Sequence, residues 1–436
     1  MNANETSYPE SLSAWLAFLE ARRPEHQMAL GLERADRVAC KLLPASFFNE
    51  QREIQVITVG GTNGKGSTVA TLSALLKAAG IRFGAWTSPH IQLFNERIRI
   101  DGEMVADELI SDSFARIEQQ RGDDYLSYFE FGALAALDIF VREAVEVIVL
   151  EVGLGGRLDA VNIVDADVSI VTTVDLDHQA WLGDTIEKIA YEKAGIFRSG
   201  RPAICGEYQP ASSLTGYIAE IGALELRRGQ AFELDESHLA ENVMAFHCDQ
   251  ANGDKRTISN LPVPNLPLTS VACALEAFLW LYPETADSVI HTGMENSRLE
   301  GRCQTVTARN AAGEEVTVLL DVAHNPQAAR YLADKLQSLS EPVAVLGMLN
   351  DKDLEGVLQP LAGLFKHWHV ATVDFPARAR DGVELQQALS DMGEQVAGYG
   401  SVAEALHSAV DQASAGQTVV VFGSFHTVGE ALAALS

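Results

Sequence analysis

The stretch I-Q-V-I-T-V-G-G-T-N-G-K-G-S-T, residues 54–68, constrains this chain more than any other. Ile54, Val56, Ile57 and Val59 form a β-branched apolar run that reads as a buried strand, and it breaks into glycines ahead of a helix predicted over 69–79. Strand, glycine loop and helix start together make a phosphate cradle. Gly60, Gly61, Gly64 and Gly66 let the backbone curl so that successive N–H groups point inward, and the helix N-terminus adds partial positive charge. Lys65 can reach terminal phosphates as a point charge, with Ser67 or Thr68 beside a magnesium ion. Gly66 stands where the general pattern has Ser or Thr, so the loop reads G-T-N-G-K-G-S. A plain strand-to-helix turn would not need the lysine.

At 436 residues the chain exceeds one ordinary core, and two domains are expected. Apolar residues are 47%, charged residues 21%, and mean hydropathy is +0.03, which suits a folded globular enzyme. A formal net charge of -28 argues against a nucleic acid or an anionic membrane as main partner. Anionic ligands must then be met by local cations, metal ions or helix termini. Cys40, Cys205, Cys248, Cys273 and Cys303 are widely spaced, odd in number and without a C-x-x-C pair, so they read as reduced thiols. With no signal-like N-terminus and no apolar stretch long enough for a bilayer, a cytoplasmic location is expected.

Residues 11–43 carry helical spacing (Leu12, Trp15, Leu16, Leu19) and lead into the first strand. After the phosphate loop, 82–86 reads as a strand ending in T-S-P-H, and 95–102 as a hairpin arm turning at Asp101-Gly102. S-Y-F-E-F at 127–131 opens an apolar helix over 132–141. Residues 146–152 form an apolar strand with Glu151 at its carboxyl end, followed by G-L-G-G-R-L-D. Ligands gather at the carboxyl ends of strands in open α/β sheets, so Glu151 is placed to hold a metal near the phosphates. The glycines lack dinucleotide-fingerprint spacing. The strand 168–174 ends in D-L-D-H, where His178 reads equally as a ligand or a structural residue. Lys193, in the helix 186–194, reads by pattern as an exposed helix lysine. Residues 201–207 extend the sheet, 211–223 is a helix, 231–261 short strands and loops, and Pro262, Pro264 and Pro267 mark a link to a helix over 271–281.

From about Arg298 a second alternation begins. Strands are expected at 316–320, 342–347, 368–373 and 418–422, with helices at 328–339, 354–365, 383–389 and 402–413. The fold class is therefore α/β: an N-terminal phosphate-loop domain (1–297) with a mostly parallel sheet, and a smaller C-terminal Rossmann-like domain (298–436). In D-V-A-H-N-P (321–326), Asn325 is a helix cap and Pro326 the first helical residue, which leaves Asp321 and His324 unexplained by capping.

G-T-N-G-K-G-S (61–67), T-S-P-H (87–90), E-V-G-L-G-G-R-L-D (151–159), L-D-H (176–178), E-K-A-G-I (192–196), G-R (301–302), D-V-A-H-N-P (321–326) and G-S-F-H-T (423–427) occur in one order. Together they resemble the Mur ligase superfamily, most closely its folate branch, the dihydrofolate synthase/folylpolyglutamate synthase family, over nearly the whole chain. The resemblance implies an ATP-dependent amide ligase that activates a carboxylate as an acyl phosphate and displaces phosphate with the amino group of L-glutamate. It implies ATP contacts from Thr62, Asn63, Gly64, Lys65, Gly66, Ser67, Arg302 and Asp321. Two magnesium ions follow from it, one on Ser88 and Glu151 and one on His178, Glu151 and Lys193, the lysine bearing a carbamate from carbon dioxide. Lys65, Lys193, His178 and Glu151 are the implied catalytic set.

By the same resemblance, dihydropteroate or a reduced folate meets Ala29, Leu30, Ser127, Tyr128, Phe129, Glu130, Leu158, Asp159 and Ala160, and His324 and Ser424 also face substrate. Aromatics there can stack on a flat pterin while a carboxylate such as Asp159 reads its amino groups. A monomer is sufficient. The rivals are a cell-wall Mur-type amino-acid ligase, which would need an extra N-terminal domain, and a phosphate-loop NTPase that forms no bond.

Overall fold

The computed structural model describes residues 8–24, 30–49, 52–250, 253–375, 377–414 and 416–435. The chain divides into two compact units, Met1–Arg298 and Leu299–Ser436.

The first unit is built on an eight-stranded sheet that takes its strands from the apolar runs of the sequence. They are β1 (Gln55–Gly60), β2 (Phe83–Trp86), β3 (Ile98–Ile100), β4 (Glu103–Met104), β5 (Val147–Glu151), β6 (Val168–Val171), β7 (Pro202–Cys205) and β8 (Leu224–Arg227), in spatial order β4-β3-β2-β5-β1-β6-β7-β8. From β2 to β8 the pairing is parallel, whereas β3 and β4 form an antiparallel hairpin arm. β1 lies at the centre, flanked by β5 and β6, so its side chains are buried on both faces and Ile57 and Val59 need no polar alternation. Register puts Val59 opposite Glu151 and Gly60 opposite Val171, bringing three strand ends to one edge.

Several elements differ from expectation for identifiable reasons. The phosphate-loop helix spans Lys65–Ala78, starting four residues early, because Gly64 (φ 86) takes the left-handed conformation that turns the chain into it. β6 stops at Val171, since Thr172 and Thr173 spend their side chains on the phosphate loop instead of the ladder. The polar stretch after β8 forms an antiparallel sheet of β9 (Phe232–Asp235), β10 (Val243–Asp249) and β11 (Lys255–Pro262), in order β11-β10-β9, with a register shift between Met244 and Phe246. The apolar helix Tyr128–Arg142 begins four residues earlier than predicted, with Ser127 as its N-cap.

The second unit has six strands: β12 (Gln304–Arg309), β13 (Glu315–Leu320), β14 (Val343–Leu346), β15 (His367–Ala371), β16 (Val396–Tyr399) and β17 (Thr418–Phe422). Their order is β12-β13-β17-β14-β15-β16, parallel except for β12. The two edge strands were not expected, because an edge strand keeps one side in water and lacks an apolar run. The predicted helix 354–365 is cut to Leu354–Leu358 and a 3-10 turn, Gln359–Leu361, by Pro360. A final helix, Phe425–Leu435, follows β17. No helix among the described residues is long and apolar enough to cross a membrane.

Candidate active site

The phosphate loop rests on the end of β6. Thr62 N–H donates to the Thr173 carbonyl (2.7 Å) and Asn63 N–H to Thr173 Oγ1 (3.2 Å), while Thr172 Oγ1 donates to the Asn63 carbonyl (2.6 Å). Thr62 and Asp175 exchange hydrogen bonds between the threonine hydroxyl and the aspartate main chain, at 3.1 and 3.0 Å. Two glycines are obligatory here: a Cβ on Gly61 would lie 1.9 Å from Thr172 Oγ1, and one on Gly64 would lie 2.4 Å from Ser270 Oγ. Ser270 itself, at the start of the helix Leu268–Leu281, donates to the Gly64 carbonyl at 3.0 Å and buttresses the loop from below. Sequence reasoning gave that support no residues, because Thr172, Thr173 and Ser270 are ordinary hydroxyls until the fold sets them under the loop.

With the amides of Thr62 and Asn63 bound to Thr173, those of Lys65, Gly66 and Ser67 are the first-turn donors that no preceding helical turn can satisfy. Lys65 Nζ folds back on the carbonyls of Gly61 (3.1 Å) and Thr62 (3.2 Å). Ser67 Oγ is buried with no hydrogen-bond partner among the described residues. A hydroxyl left in that condition costs stability and suits a hard cation or a phosphate oxygen, so the residues present fit both groups.

The ends of the neighbouring strands carry the other candidates. Glu151 closes β5, and its Oε2 accepts from Ser88 N–H at 3.3 Å, which joins two of the expected metal ligands. His178 has a positive φ (50°) at the start of Gln179–Leu182, and its N–H donates to Asp177 Oδ1 at 2.8 Å. Lys193 is 4% exposed, not the surface lysine its pattern suggests. Burial, followed by repulsion from Lys65, pushes its amine down to about 7, with Asp177 opposing. Lys65, Asp177 and Lys193 therefore share one electrostatic neighbourhood. Among the described residues no group of three or more His, Cys, Asp or Glu could hold a metal ion, so a cation here must also draw on hydroxyl, phosphate or water oxygen.

Asp159 is buried, and desolvation pushes its carboxyl up to about 6 against opposing amide bonds and Lys65. Its Oδ2 accepts from Gly153 (3.0 Å) and Leu154 (2.9 Å), and its Oδ1 from Val161 (3.1 Å), so it orders the glycine loop after Glu151. Leu158 O accepts from Gly31 N–H at 3.1 Å, bringing Leu30 and Gly31 beside Leu158, Asp159 and Ala160. Phe129 is half-buried, edge-on to Trp86 at 5.6 Å and packed over Gly153. Its neighbours are more committed. Tyr128 is buried against Phe94, Ser127 caps its helix, and Glu130 accepts from Ser127 N–H (2.6 Å) while pairing with Arg34 (2.7 Å). Ala29 lies outside the described residues.

In the second unit the candidates stand at the ends of β13 and β17. Asp321 is buried: Oδ2 accepts from Cys303 N–H (2.9 Å) and Oδ1 from Ala323 N–H (2.8 Å). Desolvation raises its carboxyl above the usual range, with Arg302 opposing. The Arg302 guanidinium lies over the Phe425 ring at 5.3 Å. His324 Nδ1 bonds the Val322 carbonyl at 2.8 Å, so that nitrogen carries a proton. Ser424 Oγ accepts from Thr427 N–H (3.0 Å) and lies 2.7 Å from Thr427 Oγ1, which donates to the Gly347 carbonyl (2.7 Å). Asn325 Oδ1 caps Pro326–Leu336 as expected, accepting from Ala328 N–H at 3.0 Å.

Comparison with known proteins follows the same division. Residues 59–205 match the Mur ligase middle domain and residues 301–425 the Mur ligase glutamate ligase domain. The dihydrofolate synthase/folylpolyglutamate synthase of Escherichia coli is 41% identical over 427 residues, 97% of this chain and 94% of that protein. That of Haemophilus influenzae is 36% identical over 99% of both chains. E. coli FolC in complex with DHPP and ADP superposes with a TM-score of 0.88 at 40% identity, covering 98% of each chain. A bifunctional folylpolyglutamate synthase/dihydrofolate synthase with Mn, AMPPNP and L-glutamate bound gives 0.86 at 40% identity, over 99% of this chain and 100% of that one. On these grounds the chain belongs to the dihydrofolate synthase/folylpolyglutamate synthase family of Mur ligases.

Proposed function

We propose that the ATP-dependent ligation of L-glutamate characteristic of this family runs, in this chain, on the groups at the carboxyl ends of β1, β2, β5 and β6. The chain is an amide-forming ligase acting on dihydropteroate and on folates. A substrate carboxylate attacks the γ-phosphorus of ATP, the bond to ADP breaks, and an acyl phosphate forms. The glutamate amine then attacks the acyl carbon, inorganic phosphate leaves, and the amine gives up its proton.

Little covalent chemistry falls to the protein, so its contribution is positioning and charge. The first-turn amides and Lys65 hold the β and γ phosphates, where Thr62, Asn63, Gly64, Gly66 and Ser67 shape the loop; Arg302 and Asp321 are the nucleotide contacts of the second unit. Ser88, Glu151, His178 and Lys193 would hold magnesium, whose charge offsets that building on the transferring phosphoryl group when it is bound. The observation that carries this reading is Lys193, buried with an amine pushed down to about 7 beside the phosphate-loop lysine. An amine lowered to about 7 is neutral in about half of the molecules near pH 7, and the neutral form can react with carbon dioxide and release a proton, giving a carbamate whose anionic oxygen is a hard-metal ligand.

Leu30, Phe129, Leu158, Asp159 and Ala160 form the pteroate surface in this reading. Ser127, Tyr128 and Glu130 hold Phe129 in place, and His324 and Ser424 serve the glutamate side. Residues 1–297 bind nucleotide and pteroate, and 298–436 form the glutamate-ligase domain. All five cysteines are free thiols, which supports a reducing, cytoplasmic setting, and we take the working form to be a monomer.

Phosphate release from ATP is the test, with dihydropteroate and L-glutamate each omitted in turn. Release that needs both substrates is expected. Full-rate release without glutamate would overturn the ligase reading.

A further inference from the structure

The segment between β2 and β3 carries Ser88 and folds into a loop closed by its own last two residues. Thr87 N–H donates to the Arg97 carbonyl (3.0 Å) and Thr87 Oγ1 to the Glu96 carbonyl (3.2 Å), so both ends of the loop are pinned together. The Glu96 carboxylate then turns inward and takes three consecutive main-chain donors, Ile91 on Oε2 and Gln92 and Leu93 on Oε1, each at 2.7 Å. Three amides converging on one carboxylate form an anion nest, here filled by the chain's own residue.

Arg97 completes the clasp from beneath. Its side chain is 1% exposed, its Nε donates to His90 Nδ1 at 2.8 Å, and its guanidinium lies over the rings of Phe94 (5.4 Å) and Tyr128 (5.7 Å). Burying a guanidinium is costly, and an apolar side chain would fill the same space more cheaply, so a bare packing role does not account for it. What an apolar residue could not do is hold His90, two residues after Ser88, in one orientation. Ser88 is tied from its other side by its own N–H to Glu151.

We propose that Glu96 and Arg97 are positioning residues for the divalent cation: they fix the Thr87–His90 turn so that the Ser88 hydroxyl and Glu151 face the same point. The inference rests on Ser88 and Glu151 being metal ligands, as in the proposed function. Neither Glu96 nor Arg97 is among the proposed metal ligands. Their removal acts on metal affinity, and turnover at saturating metal changes far less.

The probe is Mn2+ with a non-hydrolysable ATP analogue, free Mn2+ being read by electron paramagnetic resonance. Four chains are compared: the wild type, Ser88→Ala, Glu96→Gln and Arg97→Lys. Glu96→Gln keeps the size of a partly exposed side chain and serves as the deciding variant should Arg97→Lys fail to fold. Glu96→Gln and Arg97→Lys are expected to weaken Mn2+ binding by about ten- to a hundredfold, approaching the loss in Ser88→Ala. In the magnesium-dependent ligation assay, kcat at saturating metal is expected to stay within about threefold of wild type while half-saturating magnesium rises, a split that general loss of folded protein would not give. Wild-type Mn2+ affinity in Glu96→Gln, with weakened binding in Ser88→Ala, would overturn the positioning role and leave the metal site standing. Wild-type affinity in Ser88→Ala would overturn the metal assignment, and the positioning role with it.

Discussion

In the N-terminal unit the Ser67 hydroxyl is buried without a partner among the described residues, and the buried Lys193 amine is pushed down to about 7. In the C-terminal unit the strand-end residues Asp321, Asn325 and Ser424 all have hydrogen-bond partners. Asp321 accepts two amides, Asn325 caps a helix, and Ser424, Thr427 and Gly347 form a closed hydrogen-bond chain. Both sheets are open and mostly parallel, and both place polar residues where ligands gather. The difference lies in particular residues: Ser67 is left without a partner among the described residues, whereas Asp321, Asn325 and Ser424 are engaged. Unsatisfied buried groups cost stability and are retained where a ligand completes them, whereas satisfied ones build a rigid frame.

The largest expected effect tests the unsatisfied side. Lys65→Ala should lower kcat for glutamate ligation by about a hundred- to a thousandfold, measured by ADP release with all substrates saturating, because the loop amides alone cannot match the lost charge. Ser67→Ala sharpens the contrast. Deleting a hydroxyl that has no partner should leave the melting temperature unchanged or slightly raised, while ATP-dependent turnover falls by about tenfold or more. A large drop in melting temperature would show that Ser67 is structural after all.

Glu276 asks whether every unsatisfied group in the first unit is chemical. It is buried on Leu268–Leu281, its Oε2 has no partner among the described residues, and desolvation with Asp249 nearby pushes its carboxyl up to about 8. A carboxyl raised in the folded state makes the native chain hold more protons than the unfolded one between its ordinary value and about 8, so stability falls as pH rises through that window. Glu276→Gln removes this dependence. It should match wild type near the acid end of the window and be more stable by about 1–3 kcal/mol above it, read by denaturant unfolding at several pH values. The smallest effect belongs to the C-terminal frame. Asn325→Ala should cost about 1 kcal/mol of stability with little change in kcat, and a large loss of kcat would move that cap into the chemistry.

Much of this was legible from the chain itself. The run Ile54–Thr68 could be read because a buried parallel strand, glycines and a lysine leave few alternative conformations, and the place of Glu151 at a strand end because the apolar run 147–150 stops there at glycines. Asn325-Pro326 announced its helix through local capping chemistry alone. Edge strands β12 and β16 stayed hidden because they are half solvated. Burial of Lys193 was equally invisible: it depends on what packs against Ile186–Ala194, and a helix lysine looks the same in sequence whether or not it is covered. The main-chain hydrogen bonds of Glu130 and Asp159 were hidden in the same way, because they depend on how the chain folds back around each carboxylate.

The central proposal is that burial lowers the Lys193 amine to about 7, so that its neutral form is populated and can become an anionic metal ligand. Carbon-13 NMR of the enzyme equilibrated with labelled bicarbonate tests it most directly. A protein-bound carbamate resonance should be present in wild type, absent in Lys193→Ala, and broadened when Mn2+ and a non-hydrolysable ATP analogue are added. Fully active enzyme with no such resonance, or a resonance that persists in Lys193→Ala, would contradict the account.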